Sequence, residues 1–170
     1  KVLFDRWALK QAQTPPHWYG LKFFNVFGPH EYFKGSMASV AFKAYNQILE
    51  TNEMGLFKSH HSNYKDGEQL RDFVYVKDVT GWMSELTEKK SQSGIYNMGF
   101  GKARTWLDLA RGVFAAMGKP EKIRWLEIPI DIRNQYQYFT EAKMSKWSKQ
   151  GLSHPKWSLE QGIKDYVTNY

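Results

Sequence analysis

The chain is 170 residues long and 42% hydrophobic, with seven Trp, ten Tyr and eleven Phe, which excludes a disordered linker and points to a folded domain with a sizeable core. It has no cysteine, which excludes a disulfide framework and a thiolate metal site; no apolar stretch is long enough to span a bilayer, and the first residues lack the order of a secretion signal, so a soluble, cytoplasmic protein is expected. The formal charge of +7 suits either nucleic acid or a small phosphorylated ligand drawn into a cleft, and the dispersal of Lys and Arg along the chain favours the ligand.

Leu3, Phe4, Trp7 and Ala8 recur at helical spacing near the start, with no capping residue ahead of them. Thr14-Pro15-Pro16 breaks that helix, and the aromatic and aliphatic run over residues 19–27 reads as a buried strand closed at Gly28-Pro29. Ser36 opens an amphipathic helix in which Met37, Val40, Ala41, Ala44, Tyr45 and Ile48 share one face. A short strand over 56–58 leads to an exposed polar loop over 60–69, and Phe73 to Val76 suits a strand buried on both faces. Asp78 is expected to cap a helix over 79–88, and 95–98 is a further strand. Thr105 caps a helix over 106–117 that Gly118 and Pro120 stop. A strand over 123–128, a loop to 135, and helices over 141–149 and 158–170 complete an α/β pattern with few strands for a whole doubly wound sheet. No glycine-rich dinucleotide turn is present, since Gly99-Phe100-Gly101 lacks a third glycine.

Three clusters can carry chemistry. Asn25, His30, Glu31, Lys34 and Ser36 lie on one loop that ends at a helix start; it is either a phosphate or sugar site or a polar surface loop with a cap. Arg71-Asp72 stands at the mouth of an apolar strand, where the guanidinium either grips a diphosphate in a two-pronged contact or joins a simple ion pair. Residues 134–138, Asn-Gln-Tyr-Gln-Tyr, offer amide and phenol groups to sugar hydroxyls, or tyrosines to the core. Adjacent His60 and His61 do not form a helical metal-binding pair, and no metal is expected.

The run from Leu21 through Asn25 to Gly28-Pro29 resembles the strand of the extended short-chain dehydrogenase/reductases that ends in aromatic-Asn-x-x-Gly-Pro. Arg71-Asp72-Phe73-Val74-Tyr75-Val76-x-Asp78-Val79 and Gly94-Ile95-Tyr96-Asn97-Met98-Gly99 resemble two further hallmarks of that superfamily. Within it, His30-Glu31-Tyr32-Phe33-Lys34-Gly35-Ser36-Met37-Ala38-Ser39 and the run Gln135-Tyr136-Gln137-Tyr138-Phe139-Thr140 are similar to segments of the nucleotide-sugar epimerase family that acts on ADP-linked heptose.

The resemblance implies the carboxy-terminal part of a Rossmann-type enzyme: the last Rossmann elements, about 1–29 and 71–99, interleaved with a small α/β substrate-binding domain, about 30–70 and 100–170. It places an NADP-binding part and a catalytic tyrosine ahead of Lys1, so this chain alone is expected to be inactive, and it implies a homo-oligomer for the whole enzyme. The implied reaction epimerises C6 of an ADP-heptose by transient NADP-dependent oxidation and reduction, for lipopolysaccharide core synthesis. Lys34 is implied as catalytic acid–base opposite the tyrosine, helped by partial burial and positive neighbours; Lys1 as the partner of the tyrosine; and Lys1, Val26 and Lys34 as cofactor contacts. Substrate contacts are implied at Asn25, Ser36, Lys43, Phe57, Lys58, Ser59, His60, Arg71 and Tyr136. The loop between His60 and Arg71 is longer than the family pattern, and Lys43 replaces a common histidine.

Overall fold

The computed structural model describes all 170 residues, Lys1–Tyr170. After helix α1 (Val2–Ala8), the strand expected over 19–27 divides into β1 (Tyr19–Phe23) and β2 (Asn25–Phe27). The division is a change of partner: the Phe24 N–H donates to the Met98 carbonyl, and the Asn25 N–H donates to that of Asp72. Helix α2 (Val40–Thr51) and β3 (Met54–Phe57) follow, then β4 (Leu70–Arg71), β5 (Phe73–Tyr75) and helix α3 (Val76–Glu88). Next come β6 (Gly94–Met98), β7 (Arg104–Thr105), helix α4 (Trp106–Ala116) and β8 (Ile123–Leu126), and the chain ends with α5 (Ile130–Arg133), α6 (Ser145–Lys149) and α7 (Leu159–Asn169). Strand β1 pairs with β6, β2 with β5 and β3 with β8, all in parallel, whereas β4 pairs with β7 antiparallel. Parallel pairs need long crossovers, which the helices supply.

Two cores result. The larger packs α2, α4 and α7 on β2, β3 and β5 around Ile48, Tyr75, Val113, Phe114 and Ile163. The smaller gathers Val74, Trp82, Leu86, Tyr96, Met98 and Trp147 between α3, β6 and α6. All three residues of β5 are buried, because the strand lies between the two cores and feeds both, as its unbroken apolar sequence requires. Thr105 caps α4 as expected, and Ser158, expected as the first residue of the last helix, is the cap of α7; each forms a reciprocal capping box, with Asp108 or Gln161. No helix is long and apolar enough to cross a membrane.

Three expected helix starts need correction, and the loop expected up to 135 contains α5. Helix α2 begins after Ser39 rather than Ser36; Gly35, at φ 52° and ψ −123°, interrupts a 3-10 turn over Tyr32–Met37, and Ala38 is extended. Asp78 does not cap α3, which starts at Val76; its buried carboxylate accepts the N–H groups of Lys156 and Trp157 instead. The helix expected over 141–149 forms only from Ser145; ahead of it the Ala142 N–H donates to Asp72 and the Glu141 carboxylate accepts the Ala103 N–H.

Glu85 ties α3 to the segment after α6. Its carboxylate accepts the Ser153 hydroxyl at 2.7 Å and N–H at 3.1 Å, and pairs with Lys89 Nζ at 2.7 Å. Burial pushes this carboxyl up, but Lys89 and Ser153 outweigh burial and hold it at about 2. A folded-state value below the ordinary 4.5 means the stabilisation is present above pH 4.5 and is lost as pH falls toward 2. Glu85→Gln is expected to cost about 1–2 kcal/mol near neutral pH, after discounting for solvent screening of the Lys89 pair. The difference from the parent should vanish as the pH approaches 2 in urea unfolding curves.

Candidate substrate-binding site

A cleft of about 480 Å³ opens between α2, β3 and the start of α4, with Lys43, Phe57, Arg71, Trp106 and Tyr136 on its walls and Val40, Leu56 and Leu126 supplying apolar surface. Val40 and Trp106 also wall a smaller cavity of about 50 Å³ that Asn25, Val26 and Ser39 line. The two spaces therefore share a partition, and six residues expected at the site border one or the other: Asn25, Val26, Lys43, Phe57, Arg71 and Tyr136. They come from β2, α2, β3, β4 and the segment after α5, elements far apart in sequence.

Arg71 dominates the electrostatics of the cleft. It is only 8% exposed, and its guanidinium lies between Trp106 and Tyr136, 5.6 and 5.4 Å from the ring centroids. It donates to the carbonyls of Leu70, at 2.8 Å, and of Gln137. No carboxylate pairs with it. The simple ion pair with Asp72 does not form: the Asp72 carboxylate faces the other way, accepting the N–H groups of Phe100, Gly101 and Ala142 at 2.6–2.9 Å. Burial holds the Arg71 guanidinium below its ordinary value and pushes the Tyr136 phenol up, against the pull of Arg71. A guanidinium remains charged through neutral pH, so the cleft holds a desolvated cation that this chain does not neutralise.

The remaining candidates lie outside the cleft wall. Lys58, Ser59 and His60 continue from Phe57 into a loop fixed by other contacts. Lys58 Nζ and His60 Nε2 each lie 2.9 Å from Glu127, and the Ser59 N–H donates to Asp66. His60 and His61 diverge, His61 packing on Tyr138, and no group of three metal-binding side chains forms. Ser36 meets the site through its carbonyl, which accepts Lys43 Nζ at 2.6 Å. Lys34 sits in the 3-10 turn and is exposed, so the expected partial burial is not provided by this chain: neither Tyr32, Phe33 nor Met37 folds over it, and all three are themselves exposed. Lys1 stands just before α1 at the rim of a groove against β1, with Phe4, Asp5 and Lys22. Sequence reasoning missed Trp106, read only as the first residue after a cap, and the buried Gln69, whose amide holds the carbonyls of Phe57 and Lys58. Their roles depend on contacts remote in sequence and leave no local pattern.

The NAD dependent epimerase/dehydratase family matches this sequence over residues 1–99, more than half of the chain. The chain belongs to that family. It is 50% identical over 176 residues to an ADP-L-glycero-D-manno-heptose-6-epimerase of Fusobacterium nucleatum, covering all of this chain and 53% of that protein. The fold superposes on the ADP-L-glycero-D-manno-heptose-6-epimerase of Helicobacter pylori with a TM-score of 0.80 and 29% identity, covering 98% of this chain and 48% of that one. A Thermus thermophilus UDP-glucose 4-epimerase in complex with NAD shares the fold, with a TM-score of 0.69 and 24% identity over 89% of this chain and 45% of that one. The chain thus spans about half the length of these relatives, and its α/β elements are part of the Rossmann-type fold of the family.

Proposed function

We propose that the whole protein carrying this chain epimerises C6 of the heptose in ADP-D-glycero-D-manno-heptose, with NADP as its redox cofactor, in lipopolysaccharide core synthesis. The observation that carries the reading is Arg71, a buried cation without a carboxylate, facing a cleft with Lys43 nearby. A diphosphate is the ligand chemistry that satisfies such a pair, since it accepts two-pronged donation and its charge offsets the desolvation. Phe57 and Tyr136 add apolar and phenolic surface for the attached sugar and nucleoside. The 50% identity to a protein named for ADP-heptose epimerisation favours that sugar nucleotide over UDP-hexoses.

Val26 fits one edge of a cofactor site, with Asn25 beside it on the substrate side. They stand on β2 beside β5, a parallel pair of the kind whose carboxyl ends border dinucleotides, and a small cavity adjoins both. A nicotinamide cofactor, when bound, supplies reversible hydride transfer. This chain's part is to grip the diphosphate at Arg71 and Lys43 and to present Lys34 as proton donor and acceptor at the heptose. The whole protein incubated with ADP-D-glycero-D-manno-heptose and NADP should yield the C6 epimer, read by NMR of the heptose. Preferential turnover of UDP-glucose, or binding of the sugar nucleotide without turnover, would overturn this reading.

A further inference from the structure

Between Glu31 and Ser39 the chain makes a seven-residue excursion with Lys34 near its middle, which side-chain packing holds only at its edges, where Tyr32 meets the Phe42 ring and Ala38 is buried. No residue of the 3-10 turn over Tyr32–Met37 is buried, and Phe33 and Met37 are each 84% exposed. Gly35 breaks the helical dihedrals immediately after Lys34, and His30 enters the excursion in the left-handed region at φ 66°. Such a backbone keeps one shape only if its two ends are pinned.

Glu31 pins them. Its side chain, 4% exposed, reaches across the base of the excursion and accepts the Ser39 N–H at 2.6 Å and the Ser39 hydroxyl at 2.7 Å. A third donor, the Tyr166 hydroxyl of α7, completes the set at 3.0 Å. Burial and the adjacent Glu31 charge push the Tyr166 phenol far up, so it remains a donor. No cation pairs with Glu31; three neutral donors and the amino terminus of α2, which Ser39 caps, stabilise its charge. The same Ser39 hydroxyl accepts the Phe42 N–H, so a single group sets the start of α2 and the end of the excursion together.

We propose that Glu31, held by Ser39 and Tyr166, is a positioning residue for Lys34, fixing where the ammonium stands relative to the reacting carbon. The proposal rests on the acid–base reading of Lys34. A proton-transfer group displaced by about 1 Å loses about a hundredfold in rate with little effect on binding made elsewhere. Arg71 would go on gripping the substrate, because it touches neither Glu31 nor Tyr166; Lys43 donates to the Ser36 carbonyl inside the excursion, so Arg71 is the grip that these variants leave untouched.

The test is the whole protein with Glu31→Gln, whose amide oxygen cannot replace both carboxylate oxygens, and with Tyr166→Phe, which removes one donor and keeps the packing. Glu31→Gln is expected to lower kcat about tenfold to a hundredfold with KM and NADP affinity within about threefold of the parent. Tyr166→Phe should change kcat in the same sense by less, and both should displace the pH limb of kcat that Lys34→Ala removes. Neither loss should add to that of Lys34→Ala in the double variants. Parental kcat in folded Tyr166→Phe and Glu31→Gln would overturn the proposal. So would losses that persist undiminished once Lys34 is Ala, which would mark a purely structural clasp. If Glu31→Gln does not fold, Tyr166→Phe decides alone. Parental turnover by Lys34→Ala would instead overturn the reading of Lys34, and the clasp with it.

Discussion

Lys34→Ala in the whole protein is expected to reduce epimerisation by about 10²–10⁴-fold while NADP binds as before. Inverting a stereocentre through a planar carbonyl requires proton donation and removal on opposite faces, and one group cannot be well placed for both. The resemblance puts a tyrosine on one face and Lys34 on the other. Lys34 is free for that work: no carboxylate pairs with it, unlike Lys22, Lys58, Lys77, Lys89 and Lys122, each of which lies within 2.9 Å of an Asp or Glu oxygen. Lys34 is exposed, so the residues of this chain do not enclose the ammonium. The variant therefore discriminates sharply. Steady-state turnover measured beside NADP titration separates loss of a proton-transfer group from loss of the cofactor site, and parental turnover would remove Lys34 from the reaction.

The parts of this molecule legible in its sequence are those set by neighbours within a few residues. Thr105 with Asp108 and Ser158 with Gln161 satisfy the first N–H groups of their helices at fixed spacing, so both starts were readable. The alternating and continuous apolar runs likewise marked β5 and β6. The errors share another cause, in which a polar side chain that looks local is claimed by a distant partner. Asp78 serves Lys156 and Trp157, and Asp72 serves Phe100, Gly101 and Ala142 rather than Arg71. Ser36 resembled a cap because Gly35 was not recognised as a backbone break. The resemblance names Asn25, Lys43, Phe57, Arg71 and Tyr136, which the fold brings to one cleft and the cavity beside it, but it does not give their chemical state. That Arg71 lacks a carboxylate, and that Trp106 closes over it, follow only from where Asp72 and α4 fold.

Arg71→Gln should separate affinity from stability, with opposite consequences for the two. A buried guanidinium on a diphosphate contributes about 2–3 kcal/mol, so the dissociation constant for ADP is expected to rise about 30- to 150-fold, read by calorimetric titration of the 170-residue chain. Stability without ligand should not fall in proportion. Burial of Arg71 is opposed by its own desolvation, and the favourable contacts are two carbonyls and two ring faces, contacts that a neutral amide partly keeps. The melting temperature of the free variant is thus expected to stay within a few degrees of the parent, whereas ADP at a concentration that saturates the parent raises the parent's far more than the variant's. Lys at this position should rescue little: a compact ammonium cannot lie flat between Trp106 and Tyr136 while donating to both Leu70 and Gln137. If Arg71→Gln instead melts far below the parent and binds ADP normally, Arg71 is a structural cation, and the cleft loses the charge on which the sugar-nucleotide reading stands.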